Sequence, residues 1–180
     1  MNKNKIERKH WIGAGITLAN AAKSLLDRVD TLEHAEKSKV LQPSKEPRLG
    51  APDGFGIKPM LLALSMEIAL KAWIVFDRKN SEVIRGHNLS ELFGQLNSQS
   101  KEKLEQRFLS EIVAQFPNRF HQEYRIGNLL EQHKNAFQDW RYFYEQDHLH
   151  MNVGEFKATV EMVIREFNKR HYIDDGVRNS

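Results

Sequence analysis

The segment from Met60 to Phe76, MLLALSMEIALKAWIVF, is apolar nearly all round when wound as a helix. Such a helix has no polar face to offer water, so other segments must enclose it. It contains Glu67 and Lys71 and falls short of the roughly 20 apolar residues of a membrane span. The expectation is therefore a central buried helix running from Lys58 or Pro59 to about Arg78. Its polar exceptions, Glu67, Lys71 and Arg78, fall on one stripe at i, i+4 and i+11.

The enclosing segments also show helical spacing. Trp11, Leu18, Leu25 and Leu32 recur every seven residues, with Gly15, Ala22 and Val29 between them. Small residues at those places let a partner helix approach closely, and the pattern predicts a helix from about Trp11 to His34. Six Pro and Gly residues, Pro43, Pro47, Gly50, Pro52, Gly54 and Gly56, then preclude regular structure, which predicts a flexible loop over 37–57. Asn88 with Glu91 reads as a capping box opening a short helix that carries Leu92, Phe93 and Leu96. Leu104, Phe108, Ile112 and Phe116 share one face of a helix from about Lys101 to Phe116, stopped by Pro117. A fifth helix is expected from Gly127 to His148. A sixth, capped by Asn152 and Glu155, covers 154–171 and buries Phe156, Val160, Val163 and Phe167. Period-2 alternation and internal repeats are absent, so the fold class is all-α.

Composition narrows function by exclusion. The 180 residues suit one domain, and 27 Lys+Arg against 24 Asp+Glu leave a net charge of +3, a weak field that permits an anionic partner without demanding one. Cysteine is absent, which rules out disulfides, thiolate metal sites and a Cys nucleophile. Gly50, Gly54 and Gly56 fit no phosphate-cradling motif, and no Ser stands in a nucleophile elbow. Lys3, Lys5, Arg8 and Lys9 resemble the start of a signal peptide, but Thr17, Asn20, Lys23 and Ser24 make the adjoining stretch too polar for a signal-peptide core. A cytoplasmic protein is the default expectation.

The fifth helix, NLLEQHKNAFQDWRYFYEQDHLH, carries the most chemistry. Leu130, Phe137 and Tyr144 define a packing face. On an ideal wheel Arg141 falls roughly 20° from Leu130, and His148 nearly on it. A cation and an imidazole on an apolar face break the binary pattern. Two readings stay open. Arg141 forms a buried ion pair with Glu67 or Glu145 while His148 meets the negative end of its helix. Alternatively, Arg141 and His148 line one cleft, where an imidazole moves protons and a guanidinium grips phosphate. His121, His133 and His150 add no i, i+4 pairing that suits a metal, so neither metal nor cofactor is expected. Trp140, Tyr142, Phe143 and Tyr144 point in different directions on a helix, as core or dimer interface. Arg78, Lys79 and Arg85 flank the His87 turn as a solvated loop.

The apolar helix with its internal acid and base (MEIALKAWI, around Glu67 and Lys71), then Gly86-His87-Asn88-Leu89, then Arg141-Tyr142, resembles the HEPN domain family. The likeness covers roughly Trp11 to His148. It implies an antiparallel bundle of about five helices plus the C-terminal helix at 154–171, all in a single domain over 1–180. Many members carry Arg, four to six residues, then His, as Arg141 and His148 do here with six between them. In those members the pair is a metal-independent endoribonuclease site, usually completed by a second subunit, in toxin or defence systems. Other members bind nucleotides or partner proteins without catalysis. Tyr142 stands where ribonuclease-type members usually carry a polar residue. The resemblance thus implies RNA or nucleotide phosphate as ligand, a homodimer, and a partner or antitoxin protein. Arg141 and His148 would be catalytic, and Glu67, Lys71, His87, Tyr142 and Glu145 would bind or orient. The competing reading is a structural or protein-interaction domain with Arg141 in a buried ion pair.

Overall fold

A computed structural model describes residues 3–40, 56–116, 124–142 and 149–176, and the regular structure in them is helical throughout. The central element is α2, Ile57–Arg78, within a residue or two of its expected bounds. Leu62, Ala63, Met66, Leu70, Ala72, Trp73, Ile74 and Phe76 are each at most 1% exposed and lie on all sides of it, so the helix is wrapped and not merely docked. By length and composition α2 would reach across a membrane, yet 72% of its most apolar window is buried inside the protein.

Helix α1, Lys3–Val40, runs antiparallel to α2: Glu36 meets Lys58 at 2.5 Å, the Ser65 hydroxyl donates to the Ala22 carbonyl at 2.7 Å, and Trp11 meets Phe76 edge to face at 5.0 Å. It extends past both expected ends, taking in Lys37–Val40 of the anticipated loop; residues 41–55 of that loop lie outside the described ones. The buried seam of α1 is Trp11, Gly15, Ala19, Ala22, Leu26 and Val29, and the expected leucines Leu18, Leu25 and Leu32 are half-buried or exposed along its edges. Close approach explains the shift. A carbonyl that accepts from a side chain on the facing helix leaves room only for small residues at the contact line.

Helices α3 (Leu89–Gly94) and α4 (Ser98–Arg107) come next. The latter continues into a π-helical stretch, Phe108–Val113, that turns both Phe108 and Ile112 inward. The Asn88 side chain accepts from the Glu91 N–H at 3.1 Å, and Asn97 caps Ser100 in the same way at 2.8 Å. The expected fifth helix is divided into α5 (Ile126–Gln132) and α6 (Ala136–Arg141). Helix α7, Val153–Gly176, closes the bundle with its Asn152 cap in place. It runs parallel to α2, with Trp73 Nε1 donating to the Val163 carbonyl at 3.1 Å, Phe76 against Phe167 at 4.7 Å, and Arg170 on Asp77 at 2.6 Å. Lys157 bridges back to Asp30 (2.5 Å) and Glu33 (2.7 Å) on α1.

Gly15 sits where α1, α2 and α7 meet. A Cβ there would stand 2.4 Å from Phe76 Cε2, and the Phe76 ring is itself held between Trp11 and Phe167. Gly15→Ala is expected to cost about 1–3 kcal/mol by overpacking. Gly13→Ala, at an open position on the same helix, should instead gain about 0.5–1 kcal/mol. Urea denaturation of the two variants separates these outcomes.

Glu166 on α7 is fully buried and faces Lys169 (2.6 Å), Lys103 (3.6 Å) and Arg107 (3.6 Å). Burial alone would raise its pKa; the Lys169 hydrogen bond and the charges of Lys169, Arg107 and Lys103 outweigh it and hold the carboxylate below the usual range. A depressed carboxylate stabilises the fold above the ordinary Glu pKa of about 4.3 and loses that contribution as pH falls through its folded value. Thermal melts below about pH 5 should therefore show a shallower acid loss in Glu166→Gln than in wild type.

Candidate functional site

Three of the residues singled out in the sequence converge where α2 passes beneath the loop that leads into α3. Glu67 lies on α2 with its side chain 4% exposed. Lys71, one turn on, donates to its Oε1 at 2.8 Å, and His87 Nδ1 stands 3.0 Å from both carboxylate oxygens. A buried carboxylate is tolerable only when its lone pairs are answered, and here an ammonium and an imidazole answer them. With Nδ1 bearing the proton toward Glu67, the opposite ring nitrogen, Nε2, is the acceptor. The His87 side chain is 52% exposed, so the ring joins the buried pair to the surface.

The local sequence explains why His87 turns back. Gly86 adopts φ +94°, a left-handed conformation that costs glycine nothing. Asn88 then caps α3, and the Leu89 N–H donates to the Lys134 carbonyl at 2.9 Å. That carbonyl is free because the chain leaves helical geometry at His133–Asn135, between α5 and α6. Past the break, Phe137 on α6 lies 6.0 Å from the His87 ring, tilted by 34°. Neither the Phe137–His87 contact nor the role of the Lys134 carbonyl is legible in the sequence, since both act through a break that periodicity does not announce.

The same break corrects the placement of Arg141. A wheel carried on from Leu130 loses its phase across two short helices. In α6, Ala136 and Trp140 face the core, and Arg141 is exposed. Its guanidinium stands 5.5 Å from the Tyr142 ring, which is itself 44% exposed. The buried Arg141–Glu67 pair is therefore not formed: Lys71 and His87 occupy Glu67, and Arg141 has no carboxylate partner among the described residues. Arg141 does follow Phe137 by one turn, on the helix that touches His87. His148 and Glu145 lie outside the described residues. Arg78, grouped with Glu67 and Lys71 in the sequence, points away and donates to Gln95 at 2.8 Å. His133 lies edge-on to Phe156 at 5.2 Å, and no three metal-ligating side chains converge among the described residues.

No family model, curated protein or solved structure matches this chain. The HEPN likeness consequently rests on the residues themselves.

Lys71 is the removable member of the cluster. Lys71→Met leaves Glu67 buried with His87 alone, and a buried pair broken on one side costs on the order of 3 kcal/mol. The loss should shrink as pH drops through the ordinary His range near 6.5, where a protonated His87 supplies the missing charge. Melting temperatures of the variant at two pH values check both the size and the sign.

Proposed function

We propose that this chain is an HEPN-like helical module that binds RNA or nucleotide phosphate and acts as a metal-independent endoribonuclease of the toxin or defence type. The observation that carries the reading is the convergence of Glu67, Lys71 and His87 beside the helix that holds an exposed Arg141. An arginine that spends its charge on no carboxylate among the described residues is available to phosphate, and its planar fork matches two phosphate oxygens.

In the proposed reaction an imidazole accepts the proton of a ribose 2′-hydroxyl, and the 2′-oxygen attacks the adjacent phosphorus. The bond from phosphorus to the 5′-oxygen breaks, and that oxygen leaves with a proton, giving a 2′,3′-cyclic phosphate and a 5′-hydroxyl. Arg141 would balance the charge growing on the phosphoryl oxygens. His148 takes the acid/base role, Glu67 and Lys71 hold the wall of the site, and His87 and Tyr142 contact the ligand. Glu145 would orient Arg141. A homodimer, a cytoplasmic setting and a neutralising partner protein belong to the same reading.

The exposure of Arg141 separates this reading from a purely structural one. Arg141→Ala should leave stability within about 0.5 kcal/mol of wild type, as substitutions at the surface do. Cleavage of RNA in EDTA by the purified protein should fall about 10²–10⁴-fold in His148→Ala and in Arg141→Ala. An inactive wild type, or an active double variant, refutes the endoribonuclease.

A further inference from the structure

A second polar feature lies farther along α2. Asp77 stands ten residues beyond Glu67 on the same helix, about 15 Å along its axis. There the last turn of α2, the start of α4 and the body of α7 surround a cleft of about 480 Å³. That volume falls within the ~300–1,000 Å³ typical of small-molecule sites.

The floor of the cleft is built. The Asp77 side chain is 3% exposed and accepts from Arg170 Nη1 (2.6 Å), the Ser100 hydroxyl (2.7 Å) and the Asn97 N–H (2.8 Å). Three donors saturate this carboxylate, so its charge is spent inside the protein. In return it fixes the guanidinium of Arg170, which lies over the rings of Trp73 (5.2 Å) and Phe76 (5.9 Å) and touches the Ser100 hydroxyl oxygen at 3.1 Å. Only Nη1 is engaged among the described residues, leaving the Nη2 and Nε donors of a rigid fork.

Two lysines complete the wall. The Lys103 ammonium stands 5.9 Å from the Trp73 ring, with buried Glu166 behind it at 3.6 Å. Lys79 is exposed, at φ +51°, and has no carboxylate partner among the described residues. Gln99, in the first turn of α4, adds a neutral polar group. The acids here are sealed and already partnered, while the cations reach the opening.

We infer that this cleft binds the phosphate group of a small phosphomonoester. A dianionic, tetrahedral group uses a guanidinium fork and two ammonium charges together, whereas a single carboxylate leaves one of the three unanswered. One walled cleft of this volume suits one small molecule; a nucleic-acid strand is held along an extended groove. The site is distinct from the Glu67–His87 cluster and does not depend on RNA cleavage.

Amide and indole NMR spectra of the full chain test the inference, titrated at constant ionic strength with inorganic phosphate, ribose 5-phosphate, or an oligoribonucleotide without terminal phosphate. Phosphate and ribose 5-phosphate should shift the Ser98 and Gln99 amides and the Trp73 indole saturably, with an apparent Kd of about 1 mM or tighter. Lys79→Glu touches no structural contact and should weaken binding about tenfold or more, since it replaces attraction by repulsion. Arg170→Lys keeps a charge on Asp77 but removes the fork, and should weaken binding while the protein stays folded. No saturable shift, shifts centred elsewhere, or binding untouched by Lys79→Glu would overturn the assignment. Perturbation by the oligonucleotide alone would overturn the small-molecule source.

Discussion

Enclosing α2 is the constraint on which the rest of the molecule depends. A helix with apolar side chains on every side cannot lie on a surface, and each of its faces has to be met by a different element. Helix α1 covers one face through its small-residue seam, α7 a second through Trp73, Phe76 and Phe167, and α3 with α6 a third. The aromatic rings concentrate where α1, α2 and α7 meet, with Gly15 supplying the space that Phe76 fills. Close packing of this kind leaves little freedom to slide one helix past another.

The remaining freedom is pinned by a set of buried carboxylates, each answered from another part of the chain. Glu67 on α2 is met by His87 from the loop, Asp77 on α2 by Arg170 from α7 and Ser100 from α4, and Glu166 on α7 by Lys103 and Arg107 from α4. Apolar contacts accept a range of registers, but a desolvated charge accepts only the arrangement that brings its partner. These pairs stand at the edges of the core, where cations keep contact with water while the acids do not. The same arrangement leaves a cationic rim over sealed acids, the electrostatic setting in which an anionic ligand meets attraction without facing the carboxylates.

The two polar regions along α2 divide by chemistry. Around Glu67 an imidazole half in water is held by a buried acid, a setting suited to proton movement. Around Asp77 the titratable acid is enclosed and only permanent cations reach the opening, a setting suited to holding charge. One helix supports both because Glu67 and Asp77 leave its apolar surface at different heights and in different directions.

Local signals were legible where the cause was local. The bounds of α2, the Asn88–Glu91 and Asn152–Glu155 caps, and the inward face of α7 all come from spacing and short-range hydrogen bonding. The leucine stripe of α1 lies a little off the true seam, because the contact line is chosen by how near α2 comes, and that depends on Ser65 as much as on α1. The break at His133–Asn135 was illegible, since its return is a hydrogen bond to Leu89 in a distant segment. The expected direction of Arg141 fails for that reason alone. Asp77 and Arg170 carry no mark in the sequence because two ordinary charges become a site only when α2 and α7 lie side by side. By itself, then, the sequence determined the helices and the need to bury the second of them, because periodicity and capping act within a few residues. Only the tertiary structure decided which charges share a partner and which face water, because Coulombic pairing and desolvation depend on distances between segments that no local pattern encodes.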